Sequence, residues 1–91
     1  MKENFFVYLI LNIKKRKTIS YVGWTNNLKK RLQLHNSGKG AKFTRGRKWI
    51  LIHKKKLKSK KRAMQFEYEL KKNRNMRKKL INKFISTTLD C

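Results

Sequence analysis

Acidic residues are scarce in this sequence, and so are several residue types that constrain a fold. Asp and Glu together number 4 in 91 residues against 27 Lys and Arg, which gives a formal net charge of +23. The only cysteine, Cys91, excludes an internal disulfide framework and a cysteine-rich zinc site, and one cysteine fits a reducing compartment. Proline is absent, so no ring interrupts a helix at a defined position.

Long hydrophobic runs are also missing. The apolar run from Phe5 to Leu11 is far shorter than the roughly 20 residues of a transmembrane helix, and a basic block follows it instead of a small-residue cleavage site. We therefore expect no membrane span, no signal peptide and a cytoplasmic location, associated with the nucleoid if the source is bacterial. The length predicts a single domain over residues 1–91.

The excess of positive charge predicts a polyanionic partner. Nucleic acid is favoured, because neutralising its phosphates releases counterions and gives tight, salt-dependent binding. An anionic membrane is less favoured, because no long amphipathic basic helix stands out. Composition alone fits a basic nucleic-acid-binding module better than an enzyme.

The hydrophobic pattern predicts the element order ββαβαα. Two runs rich in aromatic and β-branched residues, Phe5–Leu11 and Ile19–Trp24, indicate a β-hairpin. The other predicted elements are a helix between the caps Thr25–Asn27 and Ser37-Gly38, a strand over Trp49–Ile52, a helix from Ser59 to about Lys72 with Asn73 as its C-cap, and a helix over about 75–87 capped by Asn75. These elements predict an α+β fold with a small three-stranded antiparallel sheet flanked by helices.

The segment from Gly38 to Lys48 has the composition of a phosphate-facing loop. It contains three of the four glycines and five basic residues, which favours an exposed connection over a packed element.

Glu67 is the acidic residue in the most unusual position. At about 100° per residue it falls inside the apolar stripe of Ala63, Phe66 and Leu70 on the second predicted helix, whereas Glu69 points away. A carboxylate on such a face is unfavourable unless it is paired or bound to a metal. Two interpretations stay open, an ion pair with one of the basic residues and a ligand to Mg²⁺ or Mn²⁺, ions that use one or two carboxylates plus phosphates and waters.

Four further residues are candidates for chemistry. Tyr8 and Tyr21 lie on neighbouring predicted strands and can present their phenols on one face. Arg31 and His35 are four residues apart and project from the same side of the first helix. Each also has a structural interpretation: packed tyrosines with bonded hydroxyls, a solvated arginine, and an imidazole satisfied at a helix end. A phenol of pKa about 10 is a poor base at neutral pH unless cations or a metal lower its pKa.

Taken in chain order, these residues resemble a GIY-YIG nuclease domain. The motifs that carry the resemblance are Tyr8, Tyr21-Val22-Gly23 with Thr25, Arg31 and His35, the stretch Gly38 to Thr44, and Glu67 within Ala63–Tyr68. The resemblance covers roughly Phe5 to Asn73 and is strongest to small stand-alone members related to the nuclease domain of branched-DNA endonucleases. Two positions depart from the pattern: Phe6-Val7-Tyr8 replaces Gly-Ile-Tyr, and Phe43 stands where many relatives have tyrosine.

The resemblance implies metal-dependent hydrolysis of phosphodiester bonds. It implies that Glu67 is the protein ligand of a divalent cation, Mg²⁺ or Mn²⁺, and that one of Tyr8 and Tyr21 acts as general base or activates the attacking water. It further implies that Arg31 stabilises charge on the phosphate and that His35 supports the tyrosine or the phosphate.

The expected partner is DNA, bound through backbone phosphates and recognised by structure and not by sequence. The residues that we expect to contact it are Gly23, Thr25, Lys39, Lys42, Thr44, Arg45 and Arg47. Many family members owe substrate choice to a second domain, so we also expect a protein partner that supplies specificity. The leading hypothesis is a metal-dependent DNA endonuclease acting on branched or flapped DNA; the alternative is a nucleic-acid-binding module of the same fold with little or no cleavage activity.

Overall fold

The computed structural model describes residues 4–14 and 17–89, with side chains to residue 87. Its elements are β1 (Phe5–Lys14), β2 (Lys17–Thr25), α1 (Leu28–Asn36), β3 (Ile50–Leu57), α2 (Lys60–Lys72) and α3 (Arg74–Leu89). The predicted element order and α+β class are confirmed. Glu3, Asp90 and Cys91 lie outside the described residues, as do residues 15 and 16 of the basic stretch between the first two strands.

The three strands form one antiparallel sheet in the order β2-β1-β3. β1 is the central strand because its apolar run has no polar face: residues 7–12 are all buried. β2 is an edge strand. Its register on β1 places Tyr8 opposite Gly23 and Leu9 opposite Val22, and this pairing positions the candidate site.

Helices cover both faces of the sheet. Val7 and Leu9 of β1 pack with Ala63 and Leu70 of α2, and apolar side chains of α3 complete that cluster. On the other face, Tyr8 and Ile10 pack with Trp49 and with apolar residues of α1. The edge strand β2 therefore runs between two helical layers. Within the described residues, no helix has the length and apolar character needed to cross a membrane.

The predicted caps of α1 and α2 are confirmed. The Asn27 side chain accepts a hydrogen bond from the Lys30 amide at 3.1 Å, and the Ser59 hydroxyl accepts one from the Arg62 amide at 3.2 Å. These bonds satisfy amides that have no partner inside the helix.

Two predicted boundaries are wrong. The third strand, predicted over Trp49–Ile52, occupies Ile50–Leu57, because an edge strand accepts a run of lysines on its solvent side. The last helix begins at Arg74, before the predicted cap Asn75. Asn73 serves both helices: its amide donates to the Glu69 carbonyl at 2.9 Å, and its Oδ1 accepts from the Met76 amide at 3.0 Å.

Candidate active site

A cavity of about 320 Å³ opens where β2 ends, between α1 and α2. Its lining residues are Tyr8, Tyr21, Gly23, Trp24, Thr25, Asn26, Arg31 and Glu67. They come from both strands of the hairpin, the turn into α1, α1 itself and α2. The structure thus brings four of the five predicted catalytic residues to one cavity, and the fifth, His35, lies directly behind it in contact with Tyr8.

The phenol of Tyr8 lies across the backbone of Gly23. The two residues are directly paired in the hairpin, and a Cβ atom built at position 23 would overlap the Tyr8 hydroxyl and ring. Any side chain at this position would therefore displace the phenol. The sequence-based prediction gave Gly23 a contact with nucleic acid; in the structure its clear role is to make room for Tyr8.

His35 joins Tyr8 to the loop after α1 through two hydrogen bonds. Its Nε2 lies 2.8 Å from the Tyr8 hydroxyl, and its Nδ1 lies 2.8 Å from the Thr44 hydroxyl. The Thr44 hydroxyl donates its one hydrogen to the Ala41 carbonyl at 3.1 Å, so it accepts from His35. Nδ1 of His35 therefore carries the proton, and the lone pair of Nε2 accepts the hydrogen bond from Tyr8.

Burial favours the neutral forms of both partners. His35 has 1% of its surface exposed, and this burial, followed by the positive charge of Arg31, lowers the pKa of His35. The pKa of Tyr8 is raised, first by burial and then by Tyr21, although Arg31 acts in the opposite direction. At neutral pH the pair is therefore a neutral phenol donating to a neutral imidazole.

Gly40, which the sequence analysis did not single out, makes room for the imidazole. A Cβ atom at position 40 would overlap the ring and the backbone of His35. Trp49 helps to fix the same loop, since its indole N–H donates to the Thr44 carbonyl at 2.9 Å. A glycine-rich segment predicts a turn but gives no indication of which side chain its glycines accommodate, so this role was not visible in the sequence.

The residues predicted to contact nucleic acid divide into buried threonines and more accessible basic residues. Thr44 has no exposed surface, so its side chain cannot touch a phosphate and that prediction is wrong for this position. Thr25 is buried as well, and its hydroxyl accepts from the Asn27 amide at 3.1 Å to shape the turn into α1. The basic members are more accessible: Lys39, Lys42 and Arg45 are exposed and Arg47 is half-buried.

Glu67 has features expected of an ion-paired carboxylate and features expected of a metal ligand. Its side chain is 20% exposed, and its Oε1 lies 3.5 Å from Nζ of Lys71, one helical turn further along α2. Lys71 is 50% exposed, so the pair lies at an open surface and the carboxylate borders the cavity. In the sequence, the spacing of four residues between Glu67 and Lys71 is the feature that indicates this ion pair.

The donor set at this cavity fits a divalent cation that is shared with substrate. Among the described residues, no three His, Cys, Asp or Glu side chains cluster as a metal site. One carboxylate, with phosphate oxygens and water completing the coordination, is the arrangement that Mg²⁺ commonly uses. Glu67 is the residue that would hold the ion.

Comparison with known proteins places the chain in a class. The sequence model of the GIY-YIG catalytic domain matches residues 4–82, and the chain belongs to the GIY-YIG family, which is a nuclease family. More narrowly, its relatives are small proteins of the UPF0213 group.

Three relatives illustrate the similarity. A UPF0213 protein of Oceanobacillus iheyensis is 46% identical over 72 residues, which are 78% of this chain and 80% of the relative. The UPF0213 protein YazA of Bacillus subtilis is 41% identical over 79 residues, 86% and 77% of the two chains. A solution NMR structure of a UPF0213 protein from Bacillus halodurans is 40% identical and matches with a TM-score of 0.48, covering 87% of this chain and 83% of that one.

Proposed function

We propose that this protein is a divalent-metal-dependent endonuclease that hydrolyses phosphodiester bonds in DNA, with branched or flapped DNA as its substrate. The observation that carries the proposal is the hydrogen-bonded chain from Tyr8 through His35 to Thr44, which leads out of a cavity that Arg31 and Glu67 also line. A phenol backed by a neutral imidazole is a means of removing a proton from a bound water.

The general base of the proposal is Tyr8, acting together with His35. The raised pKa of Tyr8 means that no phenolate is formed in advance. As a water attacks the phosphorus, its proton passes to the Tyr8 oxygen while the phenol proton passes to Nε2 of His35. The imidazolium that results keeps its Nδ1–H on the Thr44 hydroxyl. The phosphorus–oxygen bond to the leaving strand breaks, and the alkoxide takes a proton from solvent.

Arg31 stabilises the phosphate as its negative charge grows. It lines the same cavity as the two phenols, and guanidinium groups make charge-assisted hydrogen bonds to phosphate oxygens. Such bonds strengthen when charge develops in the transition state, which is what accelerates a reaction.

Glu67 holds the metal in this proposal. Its carboxylate borders the cavity beside the proton-accepting phenol, and the half-exposed Lys71 is free to move away when a cation binds. A Mg²⁺ or Mn²⁺ ion bound there supplies Lewis-acid polarisation of a phosphoryl oxygen.

The substrate is held by phosphate contacts. Exposed Lys39, Lys42 and Arg45 lie in the loop that also carries Thr44, the partner of His35, and these are the cations that bind the phosphates in this proposal. Phosphate contacts fix position and orientation but read no bases. We further propose that a protein partner directs this activity to particular DNA structures.

The test compares two glutamates of the same helix. The purified protein is incubated with labelled single-stranded, duplex, flap and junction DNA in Mg²⁺, Mn²⁺ or EDTA, alongside Glu67→Gln and the control Glu69→Gln, an exposed residue. We expect metal-dependent cleavage that only Glu67→Gln abolishes, with DNA affinity retained in both variants. If the wild type binds these DNAs and cuts none of them in either metal, the proposal is wrong and the protein is a binding module.

A further inference from the structure

A second cavity continues along β2 from the candidate active site. Its volume is about 330 Å³, and its lining residues are Ser20, Tyr21, Val22, Phe43, Lys71 and Arg77. Tyr21 lines both cavities, and Lys71 of the second pairs with Glu67 of the first. The two cavities are therefore neighbouring parts of one groove along the edge strand.

An exposed aromatic ring forms one side of the second cavity. Phe43 has 51% of its surface exposed, although it is a residue type that is usually buried. Its ring stacks on Tyr21 with centroids 6.1 Å apart and planes 22° apart. The guanidinium of Arg47 lies over the ring at 5.6 Å. Tyr21 and Arg47 thus cover part of the ring, and the remaining half of the Phe43 surface faces solvent.

Cations from two helices form the other side. Lys71 belongs to α2 and Arg77 to α3. Nη1 of Arg77 donates to the carbonyls of Leu70 and Lys71 at the end of α2, which fixes the guanidinium beside the cavity. A ligand in this position meets an aromatic surface on one side and positive charge on the other.

We propose that the second cavity binds an unpaired nucleotide next to the phosphate that is cleaved, with its base stacked on Phe43 and its phosphate on Lys71 and Arg77. An aromatic platform bordered by cations is the combination by which proteins bind single-stranded nucleic acid. Charge complementarity favours this occupant over an apolar segment of another protein, which would bring no negative charge to Lys71 and Arg77.

This subsite gives a physical reason for a substrate with unpaired bases. In a continuous duplex both faces of each base are covered by its neighbours, so stacking on Phe43 would require the base to leave the helix at a loss of free energy. In a flap or a single strand the base face is already available. The position beside the cleaved phosphate rests on the proposed nuclease function; the binding of an unpaired base does not.

The test measures binding without cleavage. Fluorescence anisotropy in EDTA at fixed salt gives the affinity for three fluorescein-labelled probes of equal length: an oligothymidylate, an abasic strand with the same phosphates, and a blunt duplex. We expect the wild type to prefer the oligothymidylate. Phe43→Ala should weaken that complex by about 5- to 150-fold, the range measured for one stacked base, and leave the abasic and duplex complexes unchanged.

Two companion variants keep the result interpretable. Phe43→Tyr retains an aromatic ring and should bind as the wild type does, whereas Phe43→Leu retains apolar bulk without a ring and should lose the preference at an unchanged melting temperature. The proposal is overturned if Phe43→Leu binds oligothymidylate like the wild type, or if the wild type binds the abasic strand equally well. The binding measurement contains no metal, so its result does not depend on whether the protein cleaves DNA. If the protein cleaves DNA but does not prefer the oligothymidylate, the subsite is refuted and the proposed nuclease function is not.

Discussion

The Tyr8 hydroxyl donates a hydrogen bond of 2.8 Å to Nε2 of His35, and this bond joins the central strand to the last turn of the first helix. The direction of this hydrogen bond follows from the contact on the other side of the imidazole ring. There the Thr44 hydroxyl accepts from Nδ1 of His35, because it donates its own hydrogen to the Ala41 carbonyl. A buried threonine thus determines that the nitrogen facing Tyr8 is the hydrogen-bond acceptor.

The first prediction concerns that threonine. Thr44→Val removes the hydroxyl that accepts from Nδ1 of His35, which leaves a buried N–H unpaired and no longer fixes the tautomer. We expect the single-turnover cleavage rate to fall by at least about tenfold, up to the roughly 10²–10⁴ that a general base contributes, with DNA affinity unchanged. Thr44→Ser restores the hydroxyl and should restore the rate. Equal rates for the two variants would show that Thr44 does not orient His35.

The second prediction compares two glycines of the same loop. Gly40→Ala places a methyl group against the His35 ring, whereas Gly46 has open space around it and a positive φ of 78°. We expect Gly40→Ala to separate His35 from Tyr8 and to suppress cleavage. Gly46→Ala should lower stability by about 1–2 kcal/mol through its left-handed backbone and keep the cleavage rate. Rate measurements below both melting temperatures distinguish the two effects.

Much of the fold could be predicted from local patterns. Asn27 and Ser59 cap their helices through bonds that depend on nearby residues only, and the two runs of aromatic and β-branched residues indicated the β-hairpin. The length of β3 could not be predicted in this way, because its lysines are acceptable only on an edge strand, and the strand order is a property of the whole sheet. Asn73 was predicted only as the C-cap of the second helix, but in the structure it also accepts a hydrogen bond at the start of α3.

The site was predictable to a different degree. Helical spacing placed Glu67 on an inward face, and motif order identified Tyr8, Arg31 and His35, which the structure brings to one place. Contacts between distant segments were not predictable from spacing. The burial of Thr44 against His35, nine positions away in the chain, follows from how the loop packs and from no feature of the loop's composition.

The third prediction concerns the pH dependence of cleavage. Burial, followed by the charge of Arg31, lowers the pKa of His35, and His35 accepts a proton only when neutral. Cleavage should therefore persist as the pH falls past about 6.5, the ordinary pKa of histidine, and the acid limb of the rate profile should have an apparent pKa below that value. A limb at or above 6.5 would contradict a neutral His35 base.

The same shift affects stability. Below pH 6.5 the unfolded chain binds a proton on His35 that the folded chain does not, so the free energy of unfolding falls as the pH decreases toward the folded pKa. His53 contributes in the same direction, because burial and then Lys55 and Lys83 lower its pKa. His53→Gln should reduce this acid destabilisation, measured by urea unfolding, while the acid limb of cleavage stays in place.

The last prediction concerns the competition between a lysine and a metal for Glu67. Lys71 pairs with the carboxylate at 3.5 Å, and an exposed pair of this spacing is worth about 0.3–0.5 kcal/mol. A cation at Glu67 competes with Lys71 for the negative charge of the carboxylate, so Lys71→Gln should tighten Mn²⁺ binding about twofold, measured by electron paramagnetic resonance of free Mn²⁺ without DNA. Lys72→Gln is the matched control, since Lys72 lies over the Tyr68 ring at 4.5 Å and should leave Mn²⁺ affinity unchanged. Weaker Mn²⁺ binding in Lys71→Gln than in the control would mean that the lysine holds the carboxylate in place for the metal and does not compete with it.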